Sequence, residues 1–185
     1  MPSCAVFHRG GYLGFTLLEL MITIIIMGIV ASIAVPNVLN QLKQSESQRI
    51  AMTLSTFLSA AKQDTMIYQN MITICVANEQ DRCVATNGTV LLSFVDKNGN
   101  HMFDNGTDII KERTPLMLKY GTVRLNIALN KPYIDFKPSN GNPIGHMGNI
   151  RYCANDNNAD NSFKVTFNQT GMVKIKSRQE EPSGC

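Results

Sequence analysis

The chain is short of charge and of histidine, and both shortages narrow what it can do. Of 185 residues 17% are charged, and 17 Lys+Arg against 14 Asp+Glu leave a net charge of only +3. So small an imbalance does not mark a wholesale nucleic-acid binder, and any basic site must be local. With three histidines and no Cys-x-x-Cys pair, the usual zinc-ligand spacing is missing. There is no Gly-x-Ser-x-Gly and no phosphate loop, and neither His101 nor His146 stands beside a nucleophile motif. The sequence therefore offers no support for enzymatic chemistry or a cofactor. Internal repeats and a linker between separate domains are also lacking, and the length suits one ordinary globular domain.

What is present is unevenly distributed. Mean hydropathy is near zero, at −0.06, but the apolar residues crowd into the first fifth and the remainder is rich in Asn, Thr and Ser. From Phe15 to Val35 the chain runs 21 residues with a single charge, Glu19. At about 1.5 Å per residue such a helix reaches about 31 Å, enough to cross a membrane. A secretory signal peptide competes for this segment, since Arg9 gives a basic start and Ser32-Ile33-Ala34 is a small-x-small cleavage site. Against it stand the length of the apolar run, Pro36 just past the cut, and Glu19 inside the run. A carboxylate at membrane depth costs a few kcal/mol and normally has a partner, so Glu19 is a functional residue.

The run Gly14-Phe15-Thr16-Leu17-Leu18-Glu19-Leu20 resembles the type III signal of type IV pilins and type II secretion pseudopilins. The resemblance implies that a prepilin peptidase cuts after Gly14, methylates the new amino terminus at Phe15, and leaves Glu19 four residues from a positive α-amine. It further implies that Glu19 meets the terminal amine of a neighbouring subunit, so that a costly intramembrane charge sets register in assembly. Residues 1–14 are then a cleaved leader, and 15–36 a transmembrane and assembly helix. A helix continuing over 37–67 becomes amphipathic, with Val38, Leu39, Leu42, Ile50, Leu54, Phe57, Leu58 and Ala61 on one side and Lys43, Gln44, Ser47, Gln48, Lys62 and Gln63 on the other. The expectation is a polar stalk up to Arg49 and a stripe packed on the domain's own core from Ile50.

Residues 68–185 read as an antiparallel β domain exported to the periplasm. Short β-rich runs bounded by Asn, Gly and Pro occur at Met71–Val76, Val90–Val95, Ile109–Lys111, Thr122–Ala128, Tyr133–Phe136, Ile150–Cys153, Phe163–Phe167 and Met172–Lys176. Helix first and strands after, without alternation, give an α+β fold with the amphipathic half-helix laid on a sheet or small sandwich. This arrangement matches the type IV pilin fold. Asp96-Lys97-Asn98-Gly99-Asn100 and Phe167-Asn168-Gln169-Thr170-Gly171 are similar to segments of GspH/FimT-type minor pilins and pseudopilins, although Met172-Val173-Lys174 follows where relatives often have Arg-x-Arg.

With Cys4 in the leader, Cys75, Cys83, Cys153 and Cys185 remain in an oxidising compartment, an even number that favours disulfides. Three pairings are open; proximity favours Cys75 with Cys83, and the resemblance to minor pilins suits Cys153 with Cys185. Asp96, Asn98, Asn100 and Asp104 stand at EF-hand positions 1, 3, 5 and 9, but position 12 is Thr107 and Asn-Gly pairs mark turns, so a loop without metal is expected. Lys174, Lys176 and Arg178 alternate and would share a face of a last strand. They form either a solvated edge or, as the FimT resemblance allows, a weak sequence-independent contact to DNA backbone.

The reading that follows is a minor pilin, a structural subunit of a type IV pilus in its initiating or tip complex. It would be a single-pass protein of the bacterial inner membrane whose partners are other major and minor pilins and the prepilin peptidase. The alternatives are an H-type pseudopilin of type II secretion and, in another class, a DNA-binding minor pilin for transformation.

Overall fold

The structure is a computed structural model and describes residues 14–145, 147–177 and 185. The leader to residue 13, His146, Arg178 and the tail through residue 184 lie outside the described residues. The chain divides into two compact units, the first ending at Asn40 and the second beginning at Gln41.

One helix, α1 (Leu17–Tyr68, 52 residues), contributes to both units. It starts where Thr16 accepts a hydrogen bond from the Glu19 N–H through its Oγ1, 3.2 Å. That is half of a capping box, Thr at the cap and Glu three residues on. It stops at Gln69, which takes a positive φ of 54°. There the side chains of Gln69 and Asn70 donate to the carbonyls of Met66 and Tyr68, satisfying acceptors that a helix end leaves open.

In the first unit every described residue from 14 to 40 except Thr23 is exposed. An 18-residue stretch there has mean hydropathy 2.5 and none of it buried, the only segment among the described residues long and apolar enough to cross a membrane. Its hydroxyls turn inward on the helix, Thr23 donating to the Leu20 carbonyl and Ser32 to the Ile29 carbonyl, so neither asks for water.

Among its described residues the second unit holds eight strands in two antiparallel sheets. The first sheet has the order β3-β2-β1-β5 and the second β4-β6-β7-β8, with β1 at Ile72–Ala77, β2 at Val90–Val95, β3 at Ile109–Pro115, β4 at Gly121–Ile127, β5 at Tyr133–Phe136, β6 at Gly148–Ala154, β7 at Phe163–Phe167 and β8 at Val173–Ser177. All eight expected strands are present, so the α+β expectation holds. β3 runs four residues further than expected, because its pairing with β2 continues from Ile109 to Pro115 across a bulge at Ser93/Phe94.

Packing explains the different burial patterns. β1 and β2 are buried along their whole length, since one face meets α1 residues Ile50, Leu54, Phe57, Leu58 and Ala61 in the main core. Their other face carries Cys75, Leu92 and Phe94 into a smaller cluster under Phe103 and Tyr133. Strands β4 and β7 alternate, one face in the main core and one face out. Ile50, Leu54 and Leu58 are fully buried, worth about 1.5–3 kcal/mol each.

The stalk expectation needs correction. Glu46 and Ser47 are buried, Ser47 donates to the Asn161 carbonyl at 2.7 Å, and Arg49 donates to the carbonyls of Leu116 and Met117. The helix therefore joins the domain about one turn earlier than its polar sequence suggests. The reason is chemical: these polar side chains find fixed partners in the domain, so hydrophobicity alone does not mark the contact.

Candidate functional site

Two glutamates on α1 organise the helix, one in each unit. Glu19 is exposed in the first unit, surrounded in sequence by Phe15, Leu17, Leu18, Leu20 and Met21, each more than half exposed. Its own N–H is taken by Thr16, and a negative group in the first helical turn suits the positive end of the helix dipole. Gly14 and Phe15 precede the helix as an exposed, non-helical approach. Glu19 thus follows Phe15 by four residues, in the first turn of the helix. Ser32, Ile33 and Ala34 lie within uninterrupted helix.

Glu46 was not legible as a site residue. Its carboxylate accepts hydrogen bonds from the backbone N–H groups of Lys119 at 2.9 Å and Tyr120 at 3.0 Å, and from the Tyr152 hydroxyl at 2.8 Å. Burial, then the hydrogen bond and charge of Glu46, push the Tyr152 phenol well above the ordinary tyrosine value. Three donors on one buried carboxylate form a satisfied network that ties the helix to the β3–β4 connection and to β6. The missed signal was position: Leu42, Glu46, Ile50, Leu54 and Leu58 recur every four residues, so Glu46 stands on the apolar stripe. Close by, Lys43 Nζ lies 2.8 Å from Asp156 Oδ2. That lysine, with the Asn158 N–H, holds the Asp156 carboxyl below the usual carboxylate value.

The four cysteines form two bonds, Cys75–Cys83 and Cys153–Cys185. The first closes a short loop at the end of β1; the second fastens Cys185 to β6.

In the loop after β2 the carboxylates serve the turn itself. Asp96 accepts the N–H groups of Gly99 and His101, both at 2.7 Å, and Asp108 accepts those of Lys97 and Asp104. Asp104 accepts the side-chain amides of Asn98 and Asn100, which hold its carboxyl below the usual value. Among the described residues no group of three His, Cys, Asp or Glu side chains is placed to hold a metal ion. His101 stacks on Tyr133 with ring centroids 4.2 Å apart and sits 3.1 Å from Asp135. The Thr73 hydroxyl donates to the same Asp135 carboxylate at 2.7 Å.

Lys174 and Lys176 lie on β8 opposite Thr166 and Lys164 of β7; Arg178 is outside the described residues. The second sheet is thus the one that carries the basic strip.

Two families match the chain. Residues 11–35 match the prokaryotic N-terminal methylation motif, and residues 51–171 match type II transport protein GspH. The chain belongs to the GspH family. The chain is also similar to type II secretion system core protein G of Klebsiella michiganensis, 43% identical over 53 residues, or 29% of this chain and 37% of that protein. The match therefore spans little more than a third of that relative's length. Among solved structures the chain is similar to the type IV minor pilin FimU of Pseudomonas aeruginosa, with TM-score 0.51 and 16% identity over 77% of this chain and 92% of that one. The minor pseudopilin EpsH of Vibrio cholerae is similar at TM-score 0.47 and 14% identity, over 71% and 97% of the two chains. The likeness to FimU is one of fold: a long N-terminal helix packed on antiparallel sheets. This GspH-family chain combines a methylation motif with a pilin-type domain, the makeup of a structural pilin or pseudopilin subunit.

Proposed function

We propose that the chain is a minor pilin, built as a structural subunit into the initiating or tip complex of a type IV pilus. The observation that carries this reading is the apolar surface that runs from Phe15 along α1 to Leu42, exposed throughout on its large side chains, whereas the core of the second unit is closed. A surface of that size asks first for lipid and then for the equivalent helices of other subunits. The single-pass topology follows, with the β domain in the periplasm and the prepilin peptidase acting after Gly14. Glu19 then accepts the methylated amine of a neighbour's Phe15, and a charge that resists burial alone becomes a register mark.

The test is purification of filaments from cells carrying Glu19→Ala. The variant should still insert, its amino terminus should still begin at Phe15, and its share of sheared filaments should drop at least tenfold. Normal incorporation would overturn the charge-pairing role, and an amino terminus at Val35 would overturn the prepilin reading.

The match to a type II secretion protein supports a second reading, an H-type pseudopilin in protein export. Deleting the gene separates the two: loss of surface pili with secretion intact supports the pilus, and the reverse supports export.

A further inference from the structure

Three connections converge over the face of the first sheet turned away from α1: the loop closed by Cys75–Cys83 after β1, the loop that follows β2, and the turn that leads into β5. The loop after β2 folds back over the sheet, so that Phe103 sets its edge against Phe94 with ring centroids 5.6 Å apart and His101 stacks on Tyr133. Between the three lies a cavity of about 440 Å³, within the range of sites that hold a ligand. Its apolar lining is Cys83, Val84, Phe103 and Pro132. Few polar groups converge on it, and they come from Asn78, Arg82, Asn100 and His101.

The walls are fixed in advance. Asp96 accepts the His101 N–H at 2.7 Å and Asp135 Oδ2 lies 3.1 Å from Nδ1 of its ring, so the imidazole is held from its backbone and from its edge. His101 takes a φ of 61°, and Asp81, immediately before Arg82, takes 58°. Side chains adopt such left-handed values where the surroundings impose them, which happens most at binding and active sites. A cavity already shaped loses little freedom when it is filled.

Its charge is one-sided. No carboxylate lines the cavity, and Arg82 is the permanent charge there. Nearby acids are taken: Asp81 pairs with Arg113 at 2.7 Å, Asp96 accepts two backbone N–H groups, and Asp135 accepts the Thr73 hydroxyl. Among the described residues no carboxylate is paired with the Arg82 guanidinium. Lys131 Nζ, 5.3 Å from the centre of the Tyr133 ring, adds a second cation nearby.

We infer that this cavity receives an acidic peptide segment of a neighbouring subunit, one large apolar side chain filling the hollow and a carboxylate beside it meeting Arg82. An apolar lining wants a side chain rather than an inorganic anion, and a guanidinium takes a carboxylate through two parallel hydrogen bonds. An aromatic or aliphatic anchor in a preformed hollow, with a charge at its edge, is the usual form of a strong point in a protein interface. Met102, which lines the cavity and is well exposed, supplies a flexible thioether that adapts to the incoming side chain. That the segment belongs to a neighbouring subunit rests on the assembly reading above; the chemistry the cavity takes does not.

The experiment is an NMR titration of the full chain in neutral detergent, followed at the methyl groups of Met102 and Val84. The probes are two blocked peptides, acetyl-Ala-Phe-Glu-Ala-amide and its Glu-to-Gln counterpart, which differ only in the carboxylate. The acidic peptide should shift both residues saturably, and the neutral one should bind about tenfold more weakly. Arg82→Gln should bring the acidic peptide down to the level of the neutral one, with the thermal midpoint of the parent. Lys137→Gln, exposed on the loop after β5, should bind as the parent does. No saturable shift up to about 10 mM peptide, equal binding of the two peptides, or an Arg82→Gln variant that keeps the difference would each overturn the inference. In assembled filaments, a benzophenone side chain placed at position 102 should cross-link to another kind of subunit through a segment that carries an acidic residue. Cross-linking to a second copy of this chain, or to a segment without one, would overturn the choice of partner. The peptide titration needs no filament, so a failure of the assembly reading, seen with Glu19→Ala, is told apart from a failure of the cavity.

Discussion

Glu19 and Glu46 sit on the same helix, 27 residues apart, and meet opposite fates. Glu46 is buried, and its carboxylate gathers two backbone N–H groups and a phenol from its own domain. Glu19 is exposed among large apolar side chains, and among the described residues no side chain is hydrogen-bonded to its carboxylate. The lesson is about where a fold ends. Among the described residues of the second unit, the buried carboxylates of Glu46, Asp96 and Asp135 are hydrogen-bonded within that unit. Residues 14–40 instead expose their apolar surface and their one charge, and under the proposed function both meet partners from outside the chain.

The sharpest way to break this comparison is to exchange the consequences of the two glutamates. Glu46→Ala strands three donors in the interior at about 1–3 kcal/mol each. A loss of about 4 kcal/mol in urea denaturation is therefore expected, whereas Glu19→Ala should leave the domain's transition where it was. Equal effects from the two variants would refute the contrast.

The disulfides come next in size. The chain-entropy estimate gives about 3.7 kcal/mol for Cys153–Cys185 and about 2.6 kcal/mol for Cys75–Cys83. Cys185→Ser should therefore lower the denaturation midpoint more than Cys83→Ser does, and free-thiol labelling of the mature parent under denaturing, non-reducing conditions should find none.

A smaller effect isolates one arm of the Glu46 network. Tyr152→Phe removes the hydroxyl and keeps the ring, so about 1 kcal/mol is at stake. Because the phenol is raised in the folded state, the stability it contributes is present below the ordinary tyrosine value of 10.0 and is lost as pH rises through the folded value. The parent should lose stability between about pH 10 and pH 12 more steeply than Tyr152→Phe.

The smallest effect is at the surface pair Lys43–Asp156. Asp156 is lowered in the folded state, so its contribution is present above the ordinary value of 3.8 and fades as pH falls below it. Asp156→Asn should flatten the thermal midpoint between pH 5 and pH 3 by a degree or so, in keeping with the weakness of exposed pairs. A large change would mean that this pair carries more of the helix attachment than Glu46 does.

Much of this was legible in the chain. Strand positions emerged from short β-branched runs such as Val90–Val95 and Tyr133–Phe136 punctuated by Asn and Gly, because turn residues act locally. The anchor was legible because an apolar run of that length has few homes. Sheet order was not, since β5 joins β1 across 60 residues and nothing local encodes that choice. Glu46 was missed because a buried carboxylate is tolerated only through donors on the β3–β4 connection and β6, invisible from the helix alone.

Gly121 has a wider implication. A Cβ there would come within 2.3–2.5 Å of the Tyr152 ring, so the empty space at the start of β4 is what admits the ring that reaches Glu46. Positions 46, 121 and 152 are therefore expected to drift together among relatives. Where the tyrosine gives way to a smaller side chain, residue 121 becomes free to be something other than glycine, and an alignment of the family should show the three columns co-varying.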